Sequence, residues 1–107
     1  MIERSVIQGN SIVFSLTLRN SKTKAPIDLS TSTAKITIAA ADNVIHTAEA
    51  IITDPLNGVI YHITPYTLTQ LDPRTKLYAD VEVILNGEIK KTVAQYAFTI
   101  AKGYSNG

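Results

Sequence analysis

Residues Lys76 to Ile100, KLYADVEVILNGEIKKTVAQYAFTI, alternate apolar and polar side chains on both sides of an Asn-Gly pair. A period of two sends successive side chains to opposite faces of an extended chain, so each arm reads as a strand with one buried side. On the first arm Leu77, Ala79, Val81, Val83 and Leu85 share a face, with Tyr78, Asp80, Glu82 and Ile84 on the other. Asn86-Gly87 predicts a type I′ turn, because both residues tolerate positive φ. A two-residue loop there pairs Leu85 with Glu88, Glu82 with Lys91 and Leu77 with Tyr96, which sets opposite charges across the outer face. On the second arm Ala94, Tyr96, Phe98 and Ile100 point inward. Glu88 and Lys90 have the same parity, so the tip of the hairpin is expected to project beyond the core.

The pattern repeats upstream. In Ser11 to Arg19 (SIVFSLTLR) the residues Ile12, Phe14, Leu16 and Leu18 fall on one face, and in Ala34 to Ala40 (AKITIAA) Ala34, Ile36 and Ile38 do so. Ala41-Asp42-Asn43 reads as the turn that follows. Val44 to Thr53 is β-branched but alternates poorly, with Ile51 beside Ile52 and His46 sharing a parity with Ala48, Ala50 and Ile52. Its register is the least determined of the set. Val59 to Ile63 predicts Val59, Tyr61 and Ile63 inward. Arg4 to Gln8 reads as a short edge strand ended by Gly9-Asn10. One short helical turn is expected, with Thr64 as N-cap, Pro65 at the first position and Tyr66 to Leu71 following. Six or seven strands at spacings of about eight to twelve residues, with almost no helix, predict an antiparallel immunoglobulin-like β-sandwich without the cysteines and tryptophan of antibody domains. The sandwich is expected over residues 1–101, with 102–107 as a flexible tail or linker start.

A chain of 107 residues holds one core. Ten basic and nine acidic side chains leave a net charge of +1, too weak a field to gather nucleic acid or an anionic membrane, so neither is expected as a partner. The charged share of 18% lies below the ordinary quarter, which favours neutral surface open to contact. With no cysteine, disulfides and thiolate metal sites are excluded, and the composition fits synthesis in a reducing compartment. The opening MIERSVIQGN has no apolar run behind its charges, and no 18 consecutive apolar residues occur anywhere, so no signal peptide or membrane span is expected.

No catalytic set emerges. If residues 54–58 form a hairpin loop, His62 lies opposite about Ala50. His46 then sits four residues further along the strand, roughly 13 Å away at about 3.3 Å per residue, too far to share a zinc ion. Asp54 and Asn57 could offer oxygens to calcium, but Asp-Pro followed by Asn-Gly is also what a tight reversal needs for its backbone, and the EF-hand spacing is missing. Asp80 and Glu82 share a strand face of the solvated kind. No G-x-S-x-G or glycine-rich phosphate loop is present. The chain is therefore read as non-enzymatic, with no cofactor and no metal. Tyrosine rings can stack on sugars. Tyr61 and Tyr96 fall on predicted core faces, which leaves Tyr66, Tyr78 and Tyr104 as candidate interaction residues for a host-surface glycan. A carbohydrate-binding or host-adhesion module is accordingly the alternative function.

Four short motifs stand in order: GNS at Gly9 to Ser11, PIDL at Pro26 to Leu29, DPLNGV at Asp54 to Val59 and TLTQL at Thr67 to Leu71. With the strands between them, from about Val6 to Ile100, they make the chain similar to the immunoglobulin-like N-terminal domain of bacteriophage upper baseplate proteins. It departs from that pattern where a glycine usually precedes the tyrosine of the penultimate strand; here Asp72 to Leu77 precede Tyr78. A last-strand glycine is likewise replaced around Gln95. The resemblance implies a virion structural or adaptor protein of baseplate, tail or capsid, made in the host cytoplasm. Such a protein would dock on other phage structural proteins, assemble as a homo-oligomer and anchor a receptor-binding component. The family's domain usually heads a longer protein, so the resemblance implies either one domain of such a protein or a small stand-alone virion component.

Overall fold

The computed structural model describes residues 1–104. Seven strands follow along the chain: β1 (Ile2–Ile7), β2 (Val13–Thr17), β3 (Thr33–Ala40), β4 (Asn43–Asp54), β5 (Val59–Ile63), β6 (Lys76–Leu85) and β7 (Ile89–Ala101). Two 3-10 turns, Pro55–Asn57 and Tyr66–Thr69, interrupt them. The strands form one curled sheet in the order β1-β7-β6-β3-β4-β5-β2, the all-β, sandwich-like class that the period-two pattern predicts.

β4 makes the curl. Its first part pairs with β3, from Asn43 opposite Ala40 to Ala50 opposite Ala34. Its last part pairs with β5, with Ile51 opposite Tyr61 and Ile52 opposite Ile60. The strand thus leaves one layer (β1, β7, β6, β3) and joins the other (β5, β2). The main core lies between the layers, where Ile12 and Phe14 from the β2 side meet Ile36, Ile38, Leu77, Ala79, Val81, Phe98 and Ile100. Phe14 packs edge-on against Tyr96 at 5.4 Å and Phe98 at 5.7 Å between centroids, which ties the two layers together. Burying each such side chain contributes about 1.5–3 kcal/mol.

One pairing is parallel, against the antiparallel expectation: β1 runs alongside β7, with Ile2 opposite Tyr96 and Ile7 opposite Ala101. No hairpin constrains these two strands. The direction of β1 is set by its far end, where the Gln8 N–H continues the ladder to the Ala101 carbonyl at 2.8 Å and the Gly9 N–H reaches the Thr69 carbonyl at 3.3 Å.

The β6–β7 turn forms as predicted. Asn86 and Gly87 take φ of 53° and 73°, and the Glu88 N–H donates to the Leu85 carbonyl at 2.9 Å. The ladder beyond it differs from the simple two-residue register. Leu85 pairs with Ile89 and Val83 with Lys91, and a bulge at Val93 shifts the register again, so Ala79 faces Tyr96 and Leu77 faces Phe98. Two offsets of one residue restore the original face, which is why Tyr96 and Phe98 still point inward. The bulge brings both Val93 and Ala94 to the core while the tip from Asn86 to Thr92 stays exposed. Glu82 consequently sits opposite Thr92, and its carboxylate meets Lys90 at 3.0 Å in place of Lys91.

β5 has the opposite parity to the one predicted. Ile60 is fully buried, while Val59 and Tyr61 are half-buried on the outer side and Ile63 is exposed. Leu16 lies opposite Ile60 and Phe14 opposite His62, and residues directly opposed across a ladder share a face. The unambiguous pattern of β2 therefore decides for β5, whose VIYHI reads as apolar on either parity. Thr64 is also not the cap of the helical turn. It is buried, its hydroxyl accepts from the Ile12 N–H at 2.9 Å, and its own N–H donates to the Ile12 carbonyl at 3.0 Å, so it extends the β2–β5 pairing by one step. The turn begins after Pro65, without a side-chain cap.

Candidate functional site

The outer side of β2, β5 and the end of β4 is rich in exposed apolar side chains, with Glu49 two residues from Ile51 on the same parity. Val13 lies opposite Ile63 and Ser15 opposite Tyr61, and Tyr61 is flanked on its other side by Ile51. Val13, Ile51 and Ile63 are 55%, 62% and 51% exposed. Neither β2 (VFSLT) nor β5 (VIYHI) carries an acidic, lysine or arginine side chain. β2 is also the last strand of the sheet, without the lysine, proline or bulge that usually protects an edge. A surface patch of this kind suits contact with another protein. Where β2 faces β1, a cleft of about 330 Å³ is lined by Arg4, Ser5, Ser11, Phe14 and Tyr96 among others, with no carboxylate or imidazole in its wall. Burial raises the Tyr96 phenol above its ordinary value, so it stays neutral at physiological pH.

Of the tyrosines singled out in the sequence, Tyr66, Tyr78 and Tyr104 are 59%, 41% and 90% exposed. They lie on separate elements: the second 3-10 turn, the outer face of β6, and the segment after β7. Among the described residues none stacks on another; Tyr104 has the Lys102 ammonium 5.4 Å from its ring centroid. The parity of β5 adds Tyr61 to the outer surface. Only the register to β2 could have revealed it.

The two histidines meet. His46 Nε2 and His62 Nε2 are 3.2 Å apart, not the 13 Å or so of a separation along one strand. The register between β4 and β5 is as expected, but His46 lies in the part of β4 that pairs with β3, opposite Ile38. It therefore faces His62 across the interior. A bulge at Ile45 immediately precedes it, and such a bulge re-aims the neighbouring side chain. Burial, and then the neighbouring His46, hold the His62 imidazole below its ordinary pKa. Among the described residues no cluster of three or more His, Asp or Glu forms that could hold a metal ion.

The four sequence motifs dock on one another in two pairs. In DPLNGV, Gly58 adopts φ of 67° and closes the 3-10 turn Pro55–Asn57 by donating its N–H to the Pro55 carbonyl. The Pro55 carbonyl accepts from the Leu29 N–H of PIDL at 2.8 Å, and the Gly58 carbonyl accepts from Leu18 at 2.9 Å. Leu29 plugs a second core cluster with Ala34, Ile60 and Val83. Asp28 accepts from the Ser30 N–H at 2.9 Å, and bonds from the Ser30 hydroxyl and N–H lower the Asp28 pKa. At the other end of the sequence order, the Thr69 hydroxyl of TLTQL donates to the Asn10 carbonyl of GNS at 2.6 Å, beside the Gly9–Thr69 backbone bond. The model of the BppU N-terminal domain family matches residues 2–107.

The chain belongs to the BppU N-terminal domain family. This is the N-terminal domain of phage upper baseplate proteins, so the chain is a phage baseplate structural domain and a component of the virion. Among solved structures it is similar to the N-terminal domain of phage TP901-1 ORF48, with a TM-score of 0.54 at 12% identity, over 92% of this chain and 83% of that one. This likeness is one of fold. A weaker likeness, with a TM-score of 0.44 and 6% identity, covers 94% of this chain and 33% of Drosophila OTK extracellular domains 3-5. A search of curated proteins found no match. Among the described residues no helix is long and apolar enough to cross a membrane. As a BppU N-terminal domain, the chain owes its recognisable motifs to the two docked pairs that set the loops around the sandwich.

Proposed function

We propose that this domain is a structural adaptor that docks on a neighbouring baseplate subunit through the outer side of β2, β5 and the end of β4, assembles there as a homo-oligomer, and anchors a receptor-binding component. Membership of the baseplate family over residues 2–107 carries the reading. The neutral patch of Val13, Tyr61, Ile63 and Ile51 supports the choice of face, since association gains most from apolar surface whose removal from water strands no charge.

Phage particles carrying Ile63→Asp or Ile51→Asp test it. Both side chains are exposed, so the isolated variants keep the wild-type circular dichroism spectrum and a similar melting temperature. Mass spectrometry of purified particles is expected to show the variant domains depleted. Wild-type amounts of both variants in particles would remove this face from the proposal, and absence of the wild-type domain from particles would remove the adaptor role altogether.

A further inference from the structure

We infer that His46 and His62 form one proton-sharing site that clasps the two layers of the sandwich, holds a single N–H between its facing nitrogens, and opens when a second proton binds. The 5.4 Å between ring centroids is the 3.2 Å gap between the Nε2 atoms plus close to one ring radius at each end. The rings therefore meet head on, the alignment of an N–H···N hydrogen bond in which one nitrogen donates and the other accepts. Two ligands of one metal ion would instead turn both lone pairs towards a common point beside the line joining them.

The pair spans the two layers. His46 sits on the part of β4 held to β3, and His62 on β5, opposite Phe14 of β2 with the Phe14 ring 6.3 Å away. The inward residues of the neighbouring strands are Ile36 and Ile38 on β3, Phe14 and Leu16 on β2, Ile60 on β5 with Thr64 just after it, and Ala48 and Ala50 on β4. None of these titrates. The acids nearest in sequence, Asp42 and Glu49, are exposed, and neither imidazole has an ion-pair partner among the described residues. With no carboxylate to share it, a second positive charge meets only the first, in a half-buried setting that screens it poorly. The direction of the His62 shift agrees. In the neutral pair, and after a first proton has bound at the far nitrogen of the donor ring, one N–H lies between the facing nitrogens; a second proton puts an N–H on both, and the rings must part.

Imidazole ¹⁵N spectra of the intact protein, recorded from about pH 8 to pH 4.5 in EDTA, test the inference directly on the wild type. Shared titration predicts two macroscopic steps about one pH unit or more apart, each moving the resonances of both rings. Faster amide exchange in β4 and β5 is expected to accompany the lower step. In His46→Gln the His62 ring is expected to titrate in a single step, still below the ordinary imidazole value because its burial remains. Two independent, single-step titrations in the wild type would overturn the inference. So would a shift of both Nε2 resonances on adding equimolar Zn²⁺ to EDTA-free protein at pH 7.5, which would make the pair a chelate.

Discussion

Gly58 is pressed against the carbonyl oxygen of Leu18: a β-carbon at Gly58 would lie 2.7 Å from that oxygen and 2.8 Å from the carbonyl oxygen of Ile27. Gly87 has almost the same backbone, with φ of 73° against 67°, yet a β-carbon there meets nothing within 4 Å. The two glycines separate backbone strain from crowding. Gly87→Ala is expected to cost about 1 kcal/mol, the strain of a left-handed residue alone. Gly58→Ala adds overpacking against immobile backbone and is expected to cost roughly 2–5 kcal/mol in all. Urea unfolding of the two variants side by side measures the difference, and equal losses would show that the docked loops yield freely.

Thr64→Val keeps the shape of a buried side chain but removes the acceptor of the Ile12 N–H. A buried donor left without a partner costs about 1–3 kcal/mol, so the variant's midpoint in urea should fall, while Thr64→Ser, which retains the hydroxyl, should lose less. If Thr64 were a helix cap, the loss would be confined to the turn at Tyr66–Thr69; here amide protection at Ile12 is the quantity that drops.

Acid should destabilise the domain through His62. Its folded pKa lies below the ordinary value because burial and His46 disfavour the charged form. The unfolded chain therefore binds the proton more readily. This contribution is fully present above the unfolded value of about 6.5 and is lost as pH falls through the lower folded one. Urea midpoints at pH 8 and pH 5 should differ in that direction, and His62→Gln should narrow the difference. An unchanged difference in the variant would assign the acid sensitivity to the carboxylates instead.

The Lys90–Glu82 ion pair should matter little. The Lys90 side chain is 67% exposed, and exposed pairs contribute about 0–1 kcal/mol. Lys90→Met is expected to leave the melting temperature almost unchanged in moderate salt; a drop of several degrees would mean that the hairpin tip is held more firmly than its exposure implies.

Where one face of a strand is apolar and the other polar, as in β2, β3 and β6, the sequence alone identified strand, face and core. β5 defeated the same reasoning because Val59, Ile60, Tyr61 and Ile63 are apolar on both parities, and only its neighbour β2 chooses between them. The bulge at Val93 is invisible locally, since it trades one ladder step for the burial of two adjacent side chains. The histidine pair is harder still: the register that sets His62 opposite about Ala50 is legible, but the separation of roughly 13 Å drawn from it fails, because β4 leaves one layer for the other and brings the two rings within 3.2 Å. The motifs GNS, PIDL, DPLNGV and TLTQL were recognisable as turn chemistry, while their partnership in twos required the fold.

The parallel seam between β1 and β7 also bears on how the domain is made. Its first strand cannot find its partner until the last one, ending at Ala101, has left the ribosome. During synthesis Ile2 to Ile7 must wait until residues as far as Ala101 are translated, and closure across such a sequence separation is slow. Nascent chains arrested before β7 emerges should therefore carry an unpaired first strand that proteases can reach, and the emergence of Tyr96 to Ala101 would confer protection on Ile2 to Ile7.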